Sequence, residues 1–250
     1  MSMHKFGHFL REDISLTFQY HDELNPLIWD GDELKQNIKE RLLLIGRMFA
    51  VFANIPEDAI KDIVFTGGNA NYNYTPHSDL DVHLLINIPK IPGINRVYLD
   101  DYLYDKKLLW GYKHPSLTVM GYPVELYAQS YREKLVSPKA NRGVYSLMQD
   151  KWLFKPRKEK PGDFHNDTGF KNRLEHLIKQ IEDVLTKTGD HSEDIKRLKI
   201  KIRNMRSSGI HKSGELSVEN LLFKELRNMG YIDKLNEYLI KTQDRHLSVY

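Results

Sequence analysis

The fold of this chain is decided by residues 66–83, which read TGGNANYNYTPHSDLDVH. The stretch follows a β-branched apolar run, residues 63–65, and leads into a second apolar run through Asp79 and Asp81. Side chains alternate faces along a strand, so Asp79, Asp81 and His83 are predicted on one face and the apolar residues between them on the other. The apolar face can pack on a helix, which leaves the two carboxylates for a ligand.

Two glycines, Gly67 and Gly68, open the same stretch. Without a Cβ the backbone can come close to a triphosphate, and its N–H groups are donors for phosphate oxygens. The aspartates supply oxygen ligands, which Mg²⁺ prefers and which it usually shares with substrate phosphates. The order of these features predicts a phosphate-binding turn followed by a metal-binding strand.

This order of residues resembles the motif of the nucleotidyltransferases of the DNA polymerase beta-like superfamily. The matching residues are Gly67-Gly68, a short spacer and then Ser78-Asp79-Leu80-Asp81. The sequence is most similar to the nucleotidyltransferases of large tailed phages, in which residues 70–72 and 78–83 recur in similar form. Many superfamily members carry a serine at the second glycine, and its hydroxyl meets the nucleotide phosphates. Gly68 lacks that hydroxyl, as do tRNA CCA-adding enzymes and bacterial poly(A) polymerases.

The resemblance implies an α/β (α+β) fold class, with a nucleotidyltransferase-type mixed sheet and flanking helices, followed by a C-terminal helical domain. It implies a metal-dependent enzyme that moves a nucleoside monophosphate from an NTP such as ATP to a hydroxyl acceptor and releases pyrophosphate. Two Mg²⁺ ions, for which Mn²⁺ can substitute, would be held by Asp79 and Asp81. The nucleotide phosphates would be bound by a set of small and polar residues, Gly67, Gly68, Asn69 and Ser78.

The family also needs a third carboxylate on a later strand. Residues 116–120 and 124–128 are predicted as two strands joined by a tight turn. Glu125 lies between apolar residues of the second strand, where a solitary acid is out of place in a core. Beside the resemblance, Glu125 is the predicted third metal ligand and the acceptor of the attacking hydroxyl's proton. An exposed acid on an edge strand is the alternative.

Other polar residues of the stretch have two interpretations each. His83 either acts as a base at the acceptor site or holds a carboxylate in place. Asn69, Asn71 and Asn73 either order the turn or contact the nucleotide, because asparagine tolerates unusual backbone angles.

The rest of the N-terminal part supplies helices and strands around this stretch. The pattern predicts an arm or short edge strand at residues 14–18 and a helix at about 33–53, capped by Asp30 or Asp32, with Trp29 as a packing residue. Further along, the chain predicts a second helix at about 96–110 and a hairpin made of residues 144–147 and 152–154.

Residues 155–162 contain two prolines, a glycine and a run of charges, which is typical of a linker. We therefore predict a nucleotidyltransferase catalytic domain at residues 1–160 and a helical domain at 161–250. Four helices are predicted in the second domain, at about 169–187, at 192–207, after the N-cap Ser217, and over the last residues.

The helical domain carries its own basic residues. The helix at 192–207 has six lysines and arginines and no acid between residues 195 and 206, so it either contacts nucleotide phosphates or an RNA backbone or is a solvated face. Lys224 and Arg227 are predicted to reach the triphosphate if their helix lines the cleft; otherwise they are surface charges.

Composition excludes several classes of protein. No cysteine is present, so disulfides and thiolate metal sites are excluded, and no apolar stretch approaches the roughly 20 residues that span a bilayer. The net charge of +3 is too small to indicate nucleic-acid binding by itself. We expect a soluble protein of a reducing cytoplasm, that of the host if the gene is a phage gene, with no membrane partner.

A second functional hypothesis is a non-catalytic nucleotide- or RNA-binding sensor that keeps the fold. The sequence leaves the acceptor of the enzyme open among RNA or tRNA, a protein and a small molecule, because acceptors are recognised by loops and by the second domain.

Overall fold

The computed structural model describes residues 16–91, 93, 96–133, 141–158, 162–164 and 166–248. The strands in these ranges are Trp29–Asp30 (β1), Glu33–Leu34 (β2), Ile60–Thr66 (β3), Leu80–Ile86 (β4), Thr118–Val119 (β5), Tyr122–Ser130 (β6), Val144–Ser146 (β7) and Lys151–Phe154 (β8). The helices are Gln36–Phe52 (α1), Leu99–Lys113 (α2), Thr168–Leu185 (α3), Ser192–Ser213 (α4), Val218–Asn228 (α5) and Tyr231–Leu247 (α6). Short 3-10 turns lie at Glu57–Ala59, Gly68–Ala70, Ile88–Lys90 and Arg96–Tyr98.

One mixed sheet organises the N-terminal part, with strand order β5-β6-β4-β3-β7-β8. Strands β4 and β6 are parallel, and the other neighbouring pairs are antiparallel. Parallel strands need a crossover connection, and here the connection contains α2. The predicted α/β class, with a mixed sheet and flanking helices followed by a helical C-terminal part, is confirmed.

The two faces of β4 differ as the alternation predicts. Leu80, Val82 and Leu84 are fully buried in the main apolar core, which also contains the inward side of α1. The opposite face carries Asp81 and His83, which are partly exposed, and then a small apolar cluster around Leu85. One strand therefore anchors the sheet to the core and presents polar groups on its other face.

The first helix begins later than predicted. Glu33 and Leu34 form β2, which pairs with β1 across a tight turn, and α1 starts at Gln36 without a side-chain cap from Asp30 or Asp32. Gly31 at the turn has a φ of +57°, a conformation that favours a hairpin connection over a helix start. The predicted cap is therefore wrong because turn chemistry determines the local fold. Trp29 is buried, as predicted, and stacks on Phe65.

The helices α3–α6 pack on one another. Ser217 caps α5 as predicted, because its hydroxyl accepts a hydrogen bond from the Asn220 N–H. The fully buried Glu225 accepts hydrogen bonds from the backbone N–H groups of Thr17 and Phe18 at 2.9 and 2.6 Å. Residues 16–20 are irregular, and the rest of the predicted edge strand at 14–18 lies outside the described residues.

By its internal contacts the chain divides into two compact units. One is Gln19–Glu159, and the other contains residues 160–250 together with the segment that ends at Phe18. The assignment of a catalytic domain to residues 1–160 and of a helical domain to 161–250 stays a prediction. Across the described ranges, none of the helices combines the length and the apolar character that a membrane crossing requires.

Candidate active site

Three carboxylates meet on the polar face of the sheet. Asp81 and Glu125 are direct partners in the parallel pairing of β4 with β6, and Asp79 lies two residues before Asp81. One carboxylate oxygen from each of the three residues lies within 4.8 Å of the other two. The pairing of β4 with β6 therefore brings Glu125 close to two acids that lie far from it in the sequence.

Burial and nearby negative charge change the protonation of Asp81. Burial is the largest cause, followed by the charges of Asp79 and Glu125, and together they raise the pKa of Asp81 to about 8. A hydrogen bond between Asp81 and Glu125 acts in the same direction, because only the protonated carboxyl can donate it. The positive charge of Arg142 partly opposes these effects. The site therefore favours the protonated form of the Asp81 carboxyl at neutral pH.

The glycine turn lies against these carboxylates. Gly67 has a φ of +85°, and a Cβ built on it would be 1.8 Å from Oδ2 of Asp81. A Cβ on Gly68 would be 3.0 Å from Oγ of Ser78, so the Ser78 hydroxyl lies where a side chain at position 68 would point. That hydroxyl accepts a hydrogen bond from the Thr75 N–H at 2.9 Å. The turn and the carboxylates therefore form one site.

Hydrogen bonds to neighbouring residues fix both the side chain and the backbone carbonyl of Asn69. Its side chain is fully buried, its Nδ2 donates to the Asp79 carbonyl at 3.0 Å, and its Oδ1 accepts from Nδ2 of Asn25 at 2.7 Å. Trp29 Nε1 donates to the Asn69 carbonyl at 2.7 Å. These contacts favour the interpretation that Asn69 orders the turn and fixes the backbone in front of Asp81. Its contact with a nucleotide stays a prediction.

Lys107 provides the nearest positive charge to Glu125. Its Nζ lies 2.8 Å from Oε1 of Glu125 and 5.7 Å from the centre of the Tyr127 ring. The Glu125 side chain is 47% exposed. Sequence analysis did not predict this pair, because Lys107 lies on α2, a helix whose apolar pattern is broad.

The segment before β7 is also part of the site. Asn71 Nδ2 donates to the Asn141 carbonyl, and Thr66 Oγ1 donates to the Gly143 carbonyl, both at 2.8 Å. A Cβ on Gly143 would be 1.9 Å from the Ala70 carbonyl oxygen, so only glycine allows this close approach. These contacts bring Arg142 close enough for its charge to act on Asp81. Sequence analysis missed Arg142, although the glycine after it marks a close backbone approach.

His83 is held in place by a neighbour on β6. Its Nδ1 lies 2.9 Å from Oε1 of Gln129, and its ring meets that of Tyr127 edge to face. Burial is the largest cause of a lowered His83 pKa, and the positive charges of Arg142 and Lys107 lower it further. A neutral imidazole fits both predicted roles of His83, as a base or as a residue that orients a carboxylate, so its role stays a prediction.

Comparisons with known proteins identify no family. No protein-family model matches the chain, and no curated protein matches it. A solved structure that is similar over most of the chain is a STING-associated CdnE c-di-GMP synthase from Capnocytophaga granulosa. The two chains are 10% identical, the match covers 85% of this chain and 84% of that chain, and the TM-score is 0.22. A TM-score this low assigns neither family nor function.

The structure brings together seven of the nine residues that were predicted to form the site. Asp79, Asp81, Glu125, Gly67, Gly68, Asn69 and Ser78 all belong to the unit of residues 19–159. Lys224 and Arg227 lie on α5 of the other unit, where Lys224 Nζ is 3.7 Å from Oε2 of Glu215. Their contact with a triphosphate stays a prediction.

The donor set of the site fits a hard divalent cation. Three carboxylates offer oxygen ligands close together, and the charges of Asp79 and Glu125 add to the effect of burial in raising the pKa of Asp81. Mg²⁺ and Mn²⁺ prefer oxygen ligands, and a bound cation favours the ionised carboxylate. Asp79, Asp81 and Glu125 are therefore the residues that can hold such an ion.

Proposed function

We propose that the chain is a metal-dependent nucleotidyltransferase. It would transfer a nucleoside monophosphate from an NTP to a hydroxyl acceptor and release pyrophosphate. The observation that carries the proposal is the meeting of Asp79, Asp81 and Glu125 within 4.8 Å, with Asp81 pressed against the glycine turn at Gly67. A metal site and a phosphate-binding turn in direct contact are what a reaction at a nucleotide phosphate needs.

The three carboxylates would hold two Mg²⁺ ions, with Mn²⁺ as a substitute. When bound, such ions neutralise charge on the phosphates and lower the pKa of the acceptor hydroxyl. The Gly67-Gly68 turn would receive the β- and γ-phosphates through its N–H groups, and the Ser78 hydroxyl, beside Gly68, would add a donor. In this arrangement Asp81 links the metal site to the phosphate site.

The chemical step follows from this placement. The acceptor oxygen forms a bond to the α-phosphorus, the bond from that phosphorus to the bridging oxygen breaks, and pyrophosphate leaves. Glu125 takes the proton of the acceptor hydroxyl, a role supported by the 47% exposure of its side chain beside Asp81. RNA or tRNA, a protein and a small molecule all carry suitable hydroxyls, and ATP is the first NTP to test.

A direct assay tests the proposal. The protein is incubated with Mg²⁺ or Mn²⁺ and each α-labelled NTP, with RNA, tRNA, proteins or small alcohols as acceptors. We expect pyrophosphate release and label transfer that stop in EDTA. Asp79→Asn should lose the activity, and Asp30→Asn, which removes an exposed aspartate of β1, should keep it. Activity that survives replacement of both Asp79 and Asp81 contradicts the assignment, and NTP binding without turnover indicates the sensor.

The Lys107–Glu125 pair leads to a separate prediction about metal affinity. Glu125 must exchange the Lys107 ammonium, 2.8 Å away, for a metal ion. Exposed ion pairs contribute up to about 1 kcal/mol, so we expect Lys107→Met to tighten Mn²⁺ binding about threefold. The measurement is titration of free Mn²⁺ by electron paramagnetic resonance, without nucleotide.

A neighbouring lysine provides the control for this prediction. Lys106 lies over the rings of Phe52 and Tyr102, 5.3 and 5.1 Å from their centres, on another side of α2. Lys106→Met removes the same charge and should leave the Mn²⁺ affinity nearly unchanged. Equal tightening in both variants would attribute the effect to net charge and not to the contact with Glu125.

A further inference from the structure

A groove in the helical unit combines positive charge with an apolar floor. It lies between α4, α5 and α6 and has a volume of about 480 Å³. Four cationic side chains of α4 line it, together with apolar side chains of all three helices, among them Ile200 and Phe223. Among the described residues that line this groove, none is acidic.

The cations form one ridge along α4. Lys196, Lys199, Arg203 and Arg206 follow one another at intervals of three and four residues, so they lie on the same helix face about 5–6 Å apart. Lys196 pairs with Glu193, whose side chain is 71% exposed. In the described ranges, no carboxylate forms an ion pair with Lys199 or Arg203. The ridge thus presents a line of positive charge along the groove.

The apolar part of the groove contains an aromatic ring stacked with a guanidinium, and an exposed aliphatic side chain. The guanidinium of Arg206 lies 4.3 Å from the centre of the Phe223 ring, and its Nε donates to Oδ1 of Asn220. These contacts fix the guanidinium over the ring. Ile200 is 58% exposed, although it lies between basic residues. An exposed apolar side chain within a cationic ridge suits a ligand that is both anionic and apolar.

We propose that this groove binds a single-stranded nucleic acid, with phosphates along the α4 ridge and bases against the Arg206–Phe223 stack and Ile200. Single-stranded nucleic acids are bound by just this combination, a positively charged groove and an aromatic side chain for stacking. A duplex keeps its bases stacked inside and leaves no base for the Arg206–Phe223 stack. The ridge borders a concave groove, which favours a strand over a membrane surface. The proposal goes beyond nucleotidyl transfer and does not depend on it.

The test measures binding alone. Fluorescence anisotropy follows the titration of a labelled 12-nucleotide oligouridylate with the full chain, in EDTA and without NTP, at several salt concentrations. We expect the affinity to fall as salt rises, because each phosphate contact on a single strand adds about 0.7 to the slope of log K against log salt. Lys199→Ala with Arg203→Ala should weaken binding at least tenfold and lower that slope by about 1.4.

Two variants separate the groove from net charge. Lys179→Ala with Lys241→Ala removes the same charge from α3 and α6 outside the groove, and should change the affinity less than twofold. Phe223→Leu keeps an apolar side chain but removes the ring, and should weaken binding about tenfold without changing the salt slope. Circular dichroism checks that each variant keeps its helices.

Several outcomes overturn the proposal. They are an absence of binding at low salt, equal losses in the two double variants, equally tight binding of duplex RNA, and full competition by polyglutamate or by vesicles of anionic phospholipid. The Asp79→Asn variant is expected to bind the oligonucleotide as the unchanged protein does. If the unchanged protein binds the oligonucleotide but transfers no nucleotide, the proposed function is refuted and the nucleic-acid-binding proposal stands.

Discussion

Replacing Asp81 by asparagine is expected to abolish nucleotidyl transfer and, in EDTA at pH 9, to raise the melting temperature of the protein. Most substitutions at partly buried polar sites destabilise a fold. The opposite is expected here because burial and the charges of Asp79 and Glu125 raise the pKa of Asp81 to about 8. The variant removes a charge that the metal-free fold disfavours.

The sign follows from proton linkage. The folded protein holds a proton on Asp81 up to about pH 8, whereas an ordinary aspartate loses it near 3.8. Stability therefore falls as pH rises from about 4 to about 8, and at pH 9 the full cost is present. Because Asp81 is partly exposed, solvent screens part of this cost, and we expect a gain of about 1–2 kcal/mol in the free energy of unfolding. This gain corresponds to about 2–8 °C in melting temperature.

The measurement compares melting temperatures with and without Mg²⁺ at pH 5 and pH 9. The tryptophan signal reports the unit of residues 19–159, because the three tryptophans of the chain, Trp29, Trp110 and Trp152, all lie in it. Mg²⁺ should stabilise the unchanged protein, since it binds the folded state, and should not stabilise Asp81→Asn. The gain of the variant should shrink at pH 5, where the Asp81 carboxyl keeps its proton.

The matched control is Asp30→Asn, which removes one exposed carboxylate from the same unit. It should leave both the melting temperature and the Mg²⁺ response close to those of the unchanged protein. Nucleotidyl transfer by Asp81→Asn should fall at least about 10³-fold, because metal ions supply several kcal/mol of charge stabilisation to such reactions. A melting temperature that falls at pH 9 would show that the ionised Asp81 carboxylate does not destabilise this fold.

The polar face of the site could be predicted because strand geometry is local. Alternation along residues 79–84 separated the aspartates from the apolar residues, and the structure keeps that division. The position of Glu125 could not be predicted from alternation alone, because periodicity does not show which strands are neighbours in the sheet. The family resemblance demanded a third carboxylate, and the parallel register then places Glu125 directly beside Asp81.

The positive charges of the site could not be predicted in the same way. Lys107 belongs to the crossover helix α2, and it meets Glu125 only because that helix packs on β6. Arg142 precedes β7 and is brought in by contacts between residues 141–143 and the glycine turn. Both placements depend on tertiary packing, which a local pattern does not contain. The hairpin at residues 29–34 is a different case, because Gly31 was a readable signal for a turn.

Replacing Gly67 by alanine is the second change with a large expected effect, and it should damage both the fold and the metal site. The residue has a φ of +85° and a ψ of −161°, a region that is essentially restricted to glycine and costs other residues about 1–3 kcal/mol. In addition, the new Cβ would be 1.8 Å from Oδ2 of Asp81, so the carboxylate must move. We expect a loss of more than about 3 kcal/mol in the free energy of unfolding, together with loss of the Mg²⁺ response.

Substitutions at two other glycines distinguish backbone strain from the clash with Asp81 as causes of this loss. Gly121 has a φ of +83° but no atom within 4 Å of a built Cβ, so Gly121→Ala measures backbone strain alone, about 1–2 kcal/mol. Gly68→Ala adds a Cβ in the same turn, 3.0 Å from a serine hydroxyl that can rotate, and should cost less than Gly67→Ala. Urea unfolding followed by tryptophan fluorescence gives all three values.

The Mg²⁺ response then distinguishes strain from the contact with Asp81. Gly121→Ala should keep the full increase in melting temperature on addition of Mg²⁺, because its strain lies in the turn between β5 and β6 and touches no carboxylate. Gly67→Ala should lose that increase even under conditions in which the variant is folded, since its methyl group displaces the Asp81 carboxylate, a metal ligand. If the two variants lose equal stability and both respond to Mg²⁺, the Asp81 carboxylate adapts to a side chain at residue 67. The requirement for glycine there would then lie in the backbone conformation alone.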